Sequence, residues 1–324
     1  MRGMRTAFAL LLAVCGNAHA AIDGCDGESV RLLQPVAHKA TDARAYWLDD
    51  ARIRWPGQPV DTRYRLVTSA SAGLRVERGK PVAGADRAHA LQLADDMPDD
   101  VARRFQFIGG GATLALPREA RSSLRDLLRS QAMLVREDAG GNVVDATYLQ
   151  APGVLDSLYA PAIDDRAPLG ATPGDGTTWF RVWAPTAIDV SVCLYRDGVL
   201  PAGDSLPLAY DARTGQWLNG IPRDLRGGYY AYLVDVFVPG TGIVRNRVTD
   251  PYSLSLTTDS TRSYIADLDD PALKPNGWDD APRPPALASN TDMAIYELHV
   301  RDSSIADPSV PLVPRGTSLA FTQA

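Results

Sequence analysis

The chain has 324 residues, enough for two or three domains each with its own core. Its 45% hydrophobic and 22% charged residues lie near the average of soluble globular proteins, which excludes wholesale disorder and a polytopic membrane protein. The 33 Lys and Arg are dispersed among 39 Asp and Glu for a net charge of -6, and without a basic stripe nucleic acid is not an expected partner.

The first twenty residues read as an export signal. Arg2 and Arg5 precede the apolar run from Ala7 to Val14, and Ala18-His19-Ala20 supplies small residues at the two positions a signal peptidase reads, so the mature chain is expected to begin at Ala21. In the alternative, a lipoprotein, Leu12-Ala13-Val14-Cys15 is the lipidation box, with Val14 where a small residue is normal. The run is too short to span a bilayer, and no later segment offers about 18 uninterrupted apolar residues. The expected destination is periplasmic or extracellular, with no integral membrane segment. Beyond the signal only Cys25 and Cys193 remain, 168 positions apart, so large cores rather than a disulfide scaffold must supply stability. A bridge between them needs Cα atoms within about 7 Å, which sequence does not show. The plain reading of Cys193 is a small residue packed in a strand.

Residues 21 to 165 read as a first β-domain. AYWLDDARIRWPG (45 to 57) and DTRYRLVTSASAG (61 to 73) alternate with period 2 between turn clusters. In LPREARSSLRDLLRSQ the spacing of Leu124, Leu127 and Leu128 predicts one helix, with Pro117 in its first turn. AMLVRED and NVVDATYLQ then read as a hairpin joined by Ala139-Gly140-Gly141. A β-sandwich-like module with one helix is the simplest assembly. GGG at 109 to 111 lacks the basic and hydroxyl residues of a phosphate loop and reads as a flexible turn.

DDRAPLGATPGDGTT (164 to 178) reads as a boundary loop. A second sandwich is expected over 166 to 275. WFRVWAPTA and DVSVCLY alternate strictly and look like paired strands, while GGYYAYLVDVFVPG (227 to 240) is apolar on both faces, as in a central strand. Residues 276 to 292 read as a linker. MAIYELHV follows, with Ala294, Tyr296, Leu298 and Val300 on one side and no partner strand in the residues after it. The predicted fold class is mainly β: two immunoglobulin-like β-sandwich domains in tandem, followed by one further strand.

HKATDARAYWLDDARIRWPG (38 to 57), QAPGVLDSLY (150 to 159), FRVWAPTA (180 to 187), VTDPYSLSL (248 to 256), DLDDPALKPNGWD (267 to 279) and YELHVRDSSIADPSVP (296 to 311) resemble, in this order, the amino-terminal half of pullulanase-type α-1,6-glucosidases. The resemblance implies an amino-terminal pullulanase β-domain, a sandwich of carbohydrate-binding module family 48, and then a catalytic (β/α)8 barrel of the α-amylase superfamily. Residues 293 to 324 would be the start of that barrel, its first strand at 293 to 300. Ser303 and Ser318 depart from the family, which has aromatic residues there.

The resemblance further implies hydrolysis of α-1,6 bonds in pullulan, amylopectin or limit dextrins, and an α-glucan as partner. Retaining glycosidases need two carboxyl groups about 5 to 5.5 Å apart. In the family these come from later barrel strands, so this chain is expected to be non-catalytic, with no catalytic residue, no cofactor and no metal site. Glu297 and Asp302 read as a structural polar pair, and His299 as a packing or hydrogen-bonding residue. What the chain itself can offer is a flat aromatic on which a sugar ring stacks. Trp217 and Trp179 are the candidates in the second domain, Trp47 or Trp55 in the first. For Trp217 platform and core packing stand equal; for Trp179, Trp47 and Trp55 core packing is favoured, and Trp183 reads as core. The rival reading is a free-standing secreted α-glucan-binding or structural β-sandwich protein.

Overall fold

The computed structural model describes residues 24–162, 167–283 and 285–323. The export signal expected over residues 1 to 20 lies outside them, as does part of the boundary loop. Residues up to Asp269 form one compact unit and residues from Asp270 a second.

β1 (Val30–Pro35) is followed by seven strands, β2 (Ala45–Trp47), β3 (Arg52–Pro56), β4 (Arg63–Ser69), β5 (Arg87–Leu93), β6 (Gly111–Ala115), β7 (Gln131–Glu137) and β8 (Val143–Gln150). These seven close into a barrel in the order β2-β3-β6-β5-β4-β7-β8. Two β-domains in tandem are present as expected, but in the first the two faces of a sandwich join at both edges. The closing contact is a short parallel pair, Ala45 opposite Leu149 and Tyr46 opposite Gln150, which leaves no free edge there. Trp47, Trp55, Ile53, Leu66 and Leu114 fill one core, all at most 2% exposed.

The GGG run is partly structural. Gly111 opens β6 opposite Pro56, and a Cβ there would come 2.4 Å from the Trp55 carbonyl oxygen, so only glycine lets the two strands close. The β7–β8 hairpin forms as predicted. Asp138 caps its turn by accepting from the Asn142 amide at 2.9 Å. α1 (Asp99–Arg104) was not foreseen, and the single helix expected after Pro117 is two, α2 (Arg118–Ser122) and α3 (Leu124–Leu128). They break at Ser123 (φ -117, ψ 16), whose hydroxyl donates to the carbonyls of Glu119 and Ala120 at 3.2 Å. Pro117 lies just before the helix in extended conformation rather than in its first turn. Leu124 and Leu127 are nevertheless buried in the barrel core. α4 (Pro152–Tyr159) ends the domain.

The second domain contains β9 (Gly170–Gly174), β10 (Thr177–Trp183), β11 (Ala187–Tyr195), β12 (Asp204–Pro207), β13 (Ala209–Asp211), β14 (Gln216–Ile221), β15 (Tyr229–Val238), β16 (Gly242–Val248) and β17 (Ser263–Tyr264). One sheet runs β1-β16-β15-β11-β12 with β17 on β15, and the other runs β13-β14-β10-β9. The second half of the boundary loop is therefore a β9–β10 hairpin, turned by Asp175-Gly176, both with positive φ (32° and 77°), as type I′ turns require. β10 and β11 do not pair with each other as expected. The Ala184-Pro185-Thr186 turn carries the chain from one sheet to the other, so that Phe180 and Val182 face Val190, Val192 and Leu194 across one core.

β15 is central and buried on both faces, as its sequence implied. Tyr230 and Tyr232 point into the sandwich core, while Ala231 and Leu233 pack with Cys25, Cys193 and Tyr195. That outer cluster corrects two expectations. Residues 24 to 36 do not belong with the first domain but form a strap along the second, in which β1 extends its six-stranded sheet. Cys25 and Cys193 are not free either: their Cα atoms are 5.7 Å apart and their sulfurs are bonded. The Cys25 carbonyl also accepts from the Tyr195 hydroxyl at 2.7 Å and from Arg247 Nη1 at 2.6 Å. From residue 24 the chain thus runs along the sandwich, leaves to make the whole barrel, and returns.

The two β-domains meet through Arg129, just past α3. Its Nε and Nη2 donate to the carbonyls of Ala187 and Ile188 at 2.8 and 2.7 Å, and its guanidinium lies 4.6 Å from the ring centre of Tyr210. Hydrogen bonds from a charged donor are worth about 1.5–3 kcal/mol. Arg129→Ala is expected to cost about 3 kcal/mol and to split one calorimetric transition into two, barrel and sandwich. A single unshifted transition would show that the contact does not couple them.

The second unit has no strand among its described residues. It holds short 3-10 turns and α5 (Val300–Ser304). The strand expected at 293 to 300 is absent: Met293 and His299 have extended backbone, but no ladder partner is present among the described residues, and Ile295 and Tyr296 are 83% and 86% exposed. A strand is defined by pairing, which alternation alone does not supply. His299 Nδ1 lies 3.5 Å from the Asp302 carboxylate, and both side chains are exposed. Glu297 is exposed as well.

Candidate functional site

The inward positions of β10, Phe180 and Val182, are 0% and 5% exposed, so Trp179, Arg181 and Trp183 stand on the outer face of the four-stranded sheet. Register sets their neighbours. Trp179 lies between Thr172 of β9 and Gly220 of β14, Arg181 between Gly170 and Leu218, and Trp183 opposite Gln216.

Trp179 is 39% exposed, where core packing was favoured. Its indole rests on Gly220: a Cβ at that position would meet three ring carbons at 2.9 to 3.0 Å. Any larger residue there would lift the ring off the sheet. The Arg181 guanidinium lies over the same indole, 4.6 Å from its centre, an arrangement worth about 0.5–1 kcal/mol at an exposed site. Burial against the sheet draws the Arg181 pKa below its ordinary value. No carboxylate among the described residues lies within ion-pair distance of it.

Trp183 is half-buried rather than core. Its Nε1 donates to the Thr214 carbonyl at 3.1 Å, and its ring meets Tyr159 edge-on at 6.4 Å. It borders a groove of about 590 Å³ that Tyr159, Gln216, Tyr252, Leu155 and Pro168 also line. From Trp179 to Trp183 the outer row spans four residue steps, about 13 Å at strand rise.

Trp217, the other candidate platform, is 4% exposed and offers no face to a ligand. Its Nε1 donates to the Ala184 carbonyl at 3.0 Å, and its ring packs 5.1 Å from that of Tyr210 in the sandwich core. Trp47 and Trp55 are core residues of the barrel, 2% and 0% exposed. Asp189 and Asp250, the carboxyl groups that burial pushes above the ordinary range, serve other partners. Asp189 lies beside the Asp235–Arg245 ion pair and Asp250 among tyrosine hydroxyls, neither on the outer face of the four-stranded sheet. Among the described residues no cluster of His, Cys, Asp and Glu could hold a metal ion, and no helix is long and apolar enough to cross a membrane.

The outer face thus presents a part-exposed indole fixed against Gly220, with the Arg181 guanidinium over its ring. Residues 42–157 match the pullulanase N2 domain and residues 168–253 match carbohydrate-binding module 48, the isoamylase N-terminal domain. The chain is 36% identical over 285 residues to a pullulanase of Klebsiella pneumoniae, covering 86% of this chain and 25% of that protein. It is 35% identical to the chloroplastic pullulanase 1 of Arabidopsis thaliana, covering 86% of this chain and 28% of that one. In structure it resembles the maltotriose complex of the Klebsiella pneumoniae pullulanase PulA, with a TM-score of 0.75 at 33% identity, over 89% of this chain and 30% of that one. The chain spans about a quarter of the length of the curated relatives it matches. It carries, in sequence order, a pullulanase N2 domain and a carbohydrate-binding module 48, and corresponds to the amino-terminal region of pullulanases.

Proposed function

We propose that this chain is the amino-terminal, non-catalytic portion of a pullulanase-type debranching enzyme, which hydrolyses α-1,6-glucosidic bonds in pullulan, amylopectin and limit dextrins. The observation that carries this reading is the succession of N2 domain and module 48, matched across 86% of the chain to pullulanases. The chain's own contribution is contact with α-glucan, made on the outer face of the four-stranded sheet with Trp179 as platform. Trp179 takes this role because it is the exposed, sheet-supported indole, while Trp217 is enclosed.

The proposed limits are a barrel domain over 37 to 162, a sandwich of 24 to 36 with 167 to 269, and a further unit beyond. Its place of action is outside the cytoplasm, since a disulfide persists in oxidising compartments. Stacking on one aromatic ring is worth about 0.5–1.5 kcal/mol beyond area burial. Trp179→Ala should therefore weaken maltotriose binding about tenfold, read by nuclear magnetic resonance titration, with the melting temperature unchanged. Unaltered maltotriose binding would remove Trp179 from the site, and release of reducing ends from pullulan by the purified chain would refute the non-catalytic assignment.

A further inference from the structure

We propose that the Trp179–Arg181 site prefers a sugar bearing an anionic substituent, a phosphate ester or a carboxylate, over a neutral glucose unit. The inference rests on the reading of Trp179 as a sugar platform and adds the chemical class of its ligand. Every outer-face neighbour of the two residues across the sheet is uncharged: Thr172, Gly220, Gly170 and Leu218.

Three arginines of this domain have their charge met by carboxylates. Arg223 pairs with Asp204 at 2.8 Å, Arg226 with Asp224 and Asp267 at 2.6 and 2.9 Å, and Arg245 with Asp235 at 2.7 Å. Among the described residues Arg181 has no carboxylate partner; its guanidinium lies over the indole, and it is partly buried. A cation held against an aromatic face is partly desolvated before any ligand arrives.

Binding sets these contacts in competition. A sugar that stacks on the indole displaces the guanidinium from the ring and must give it another partner. A hydroxyl offers a neutral acceptor. A phosphate or carboxylate offers charge and a bidentate geometry that fits the planar guanidinium, and such bonds are roughly twice as strong as neutral ones. Thr172 of β9, opposite Trp179, stands on the same outer face and can add a hydroxyl bond to the substituent.

The test uses the full chain titrated with glucose, maltose, glucose 6-phosphate, glucuronic acid and inorganic phosphate at low and high salt. Glucose 6-phosphate or glucuronic acid should bind at least tenfold more tightly than glucose, with the advantage lost at high salt. Which of the two gains more identifies phosphate ester or carboxylate as the natural substituent. Arg181→Gln should erase the advantage of the anionic sugars, bringing their affinities to that of glucose in the same variant. Inorganic phosphate alone should compete weakly; competition as strong as that of glucose 6-phosphate would mean ion pairing without sugar recognition and overturn the proposal. So would equal affinity for charged and neutral sugars, or an advantage that survives in Arg181→Gln. If maltose binding responds to Trp179→Ala while no anionic probe gains, the platform stands and this inference alone falls. If no probe binds, both fall.

Discussion

Cys193→Ala is expected to lower the melting temperature of the β-domains by roughly 10 °C, through a loss of about 3–5 kcal/mol. The bridge closes a ring of 168 positions that includes the entire barrel, and the restriction of an unfolded chain grows with the length of the loop that is closed. Both cysteines are 0% exposed, packed among Tyr195, Ala231 and Leu233, so the substitution also opens a small defect on the outer face of β15. The strap should loosen first. Its amides in β1 should exchange with solvent faster in the variant, while those of β4 and β7 in the barrel keep their protection. A double variant at Cys25 and Cys193 should be no less stable than the single one, because one bond is lost in both. Burial makes a second outcome measurable: thiol reagents should reduce the native protein slowly and label both cysteines quickly only after denaturant. If the reduced, alkylated chain melts at the same temperature as the oxidised one, the strap is held by its ladder to β16 and the carbonyl of Cys25 alone.

Alternation tells which face a residue occupies, but not which strand it meets. That limit accounts for most of what the sequence left open. β15 was legible because its apolar residues occur on both faces, and such a strand has to lie inside a sheet. β10 and β11 were legible as strands, yet the same alternation suits two neighbours in one sheet or two strands facing each other across a core, and the second holds. In β14 Trp217 is followed by Leu218, so both faces carry an apolar residue and the parity of the tryptophan is ambiguous. In β10 both faces carry aromatics, Trp179 and Trp183 outward and Phe180 inward. Gly220 was the available signal: a glycine two positions beyond an apolar outer residue marks a place where something large lies on the strand. β1 left no signal at all, since its six residues are exposed and do not alternate. Its place in the second sheet, like the disulfide, depends on contacts between residues about two hundred positions apart, which no local pattern encodes.

Asp250→Ala is expected to cost about 3–5 kcal/mol, as is usual when one member of a buried charged network is removed. Asp250 is 3% exposed, and its carboxylate accepts from the hydroxyls of Tyr230 at 2.7 Å and Tyr232 at 3.3 Å and from the Tyr252 amide at 2.8 Å. Without it two tyrosine hydroxyls lose their acceptor in the sandwich core. The pH dependence separates charge from packing. Burial raises the Asp250 pKa above that of an ordinary carboxylate, and the hydrogen bonds from Tyr252, Tyr230 and Tyr232 offset part of the rise. Because the folded value exceeds the unfolded one of about 3.9, the contribution to stability is full below pH 4 and is lost as pH rises through the folded pKa. Asp250→Asn keeps the size of the side chain but does not titrate. The stability of the wild type relative to Asp250→Asn should therefore fall as pH rises above the unfolded value of about 3.9, measured by urea unfolding at each pH. A difference that stays constant over this range would mean that Asp250 holds the same proton occupancy folded and unfolded, and that its two tyrosines act through geometry alone.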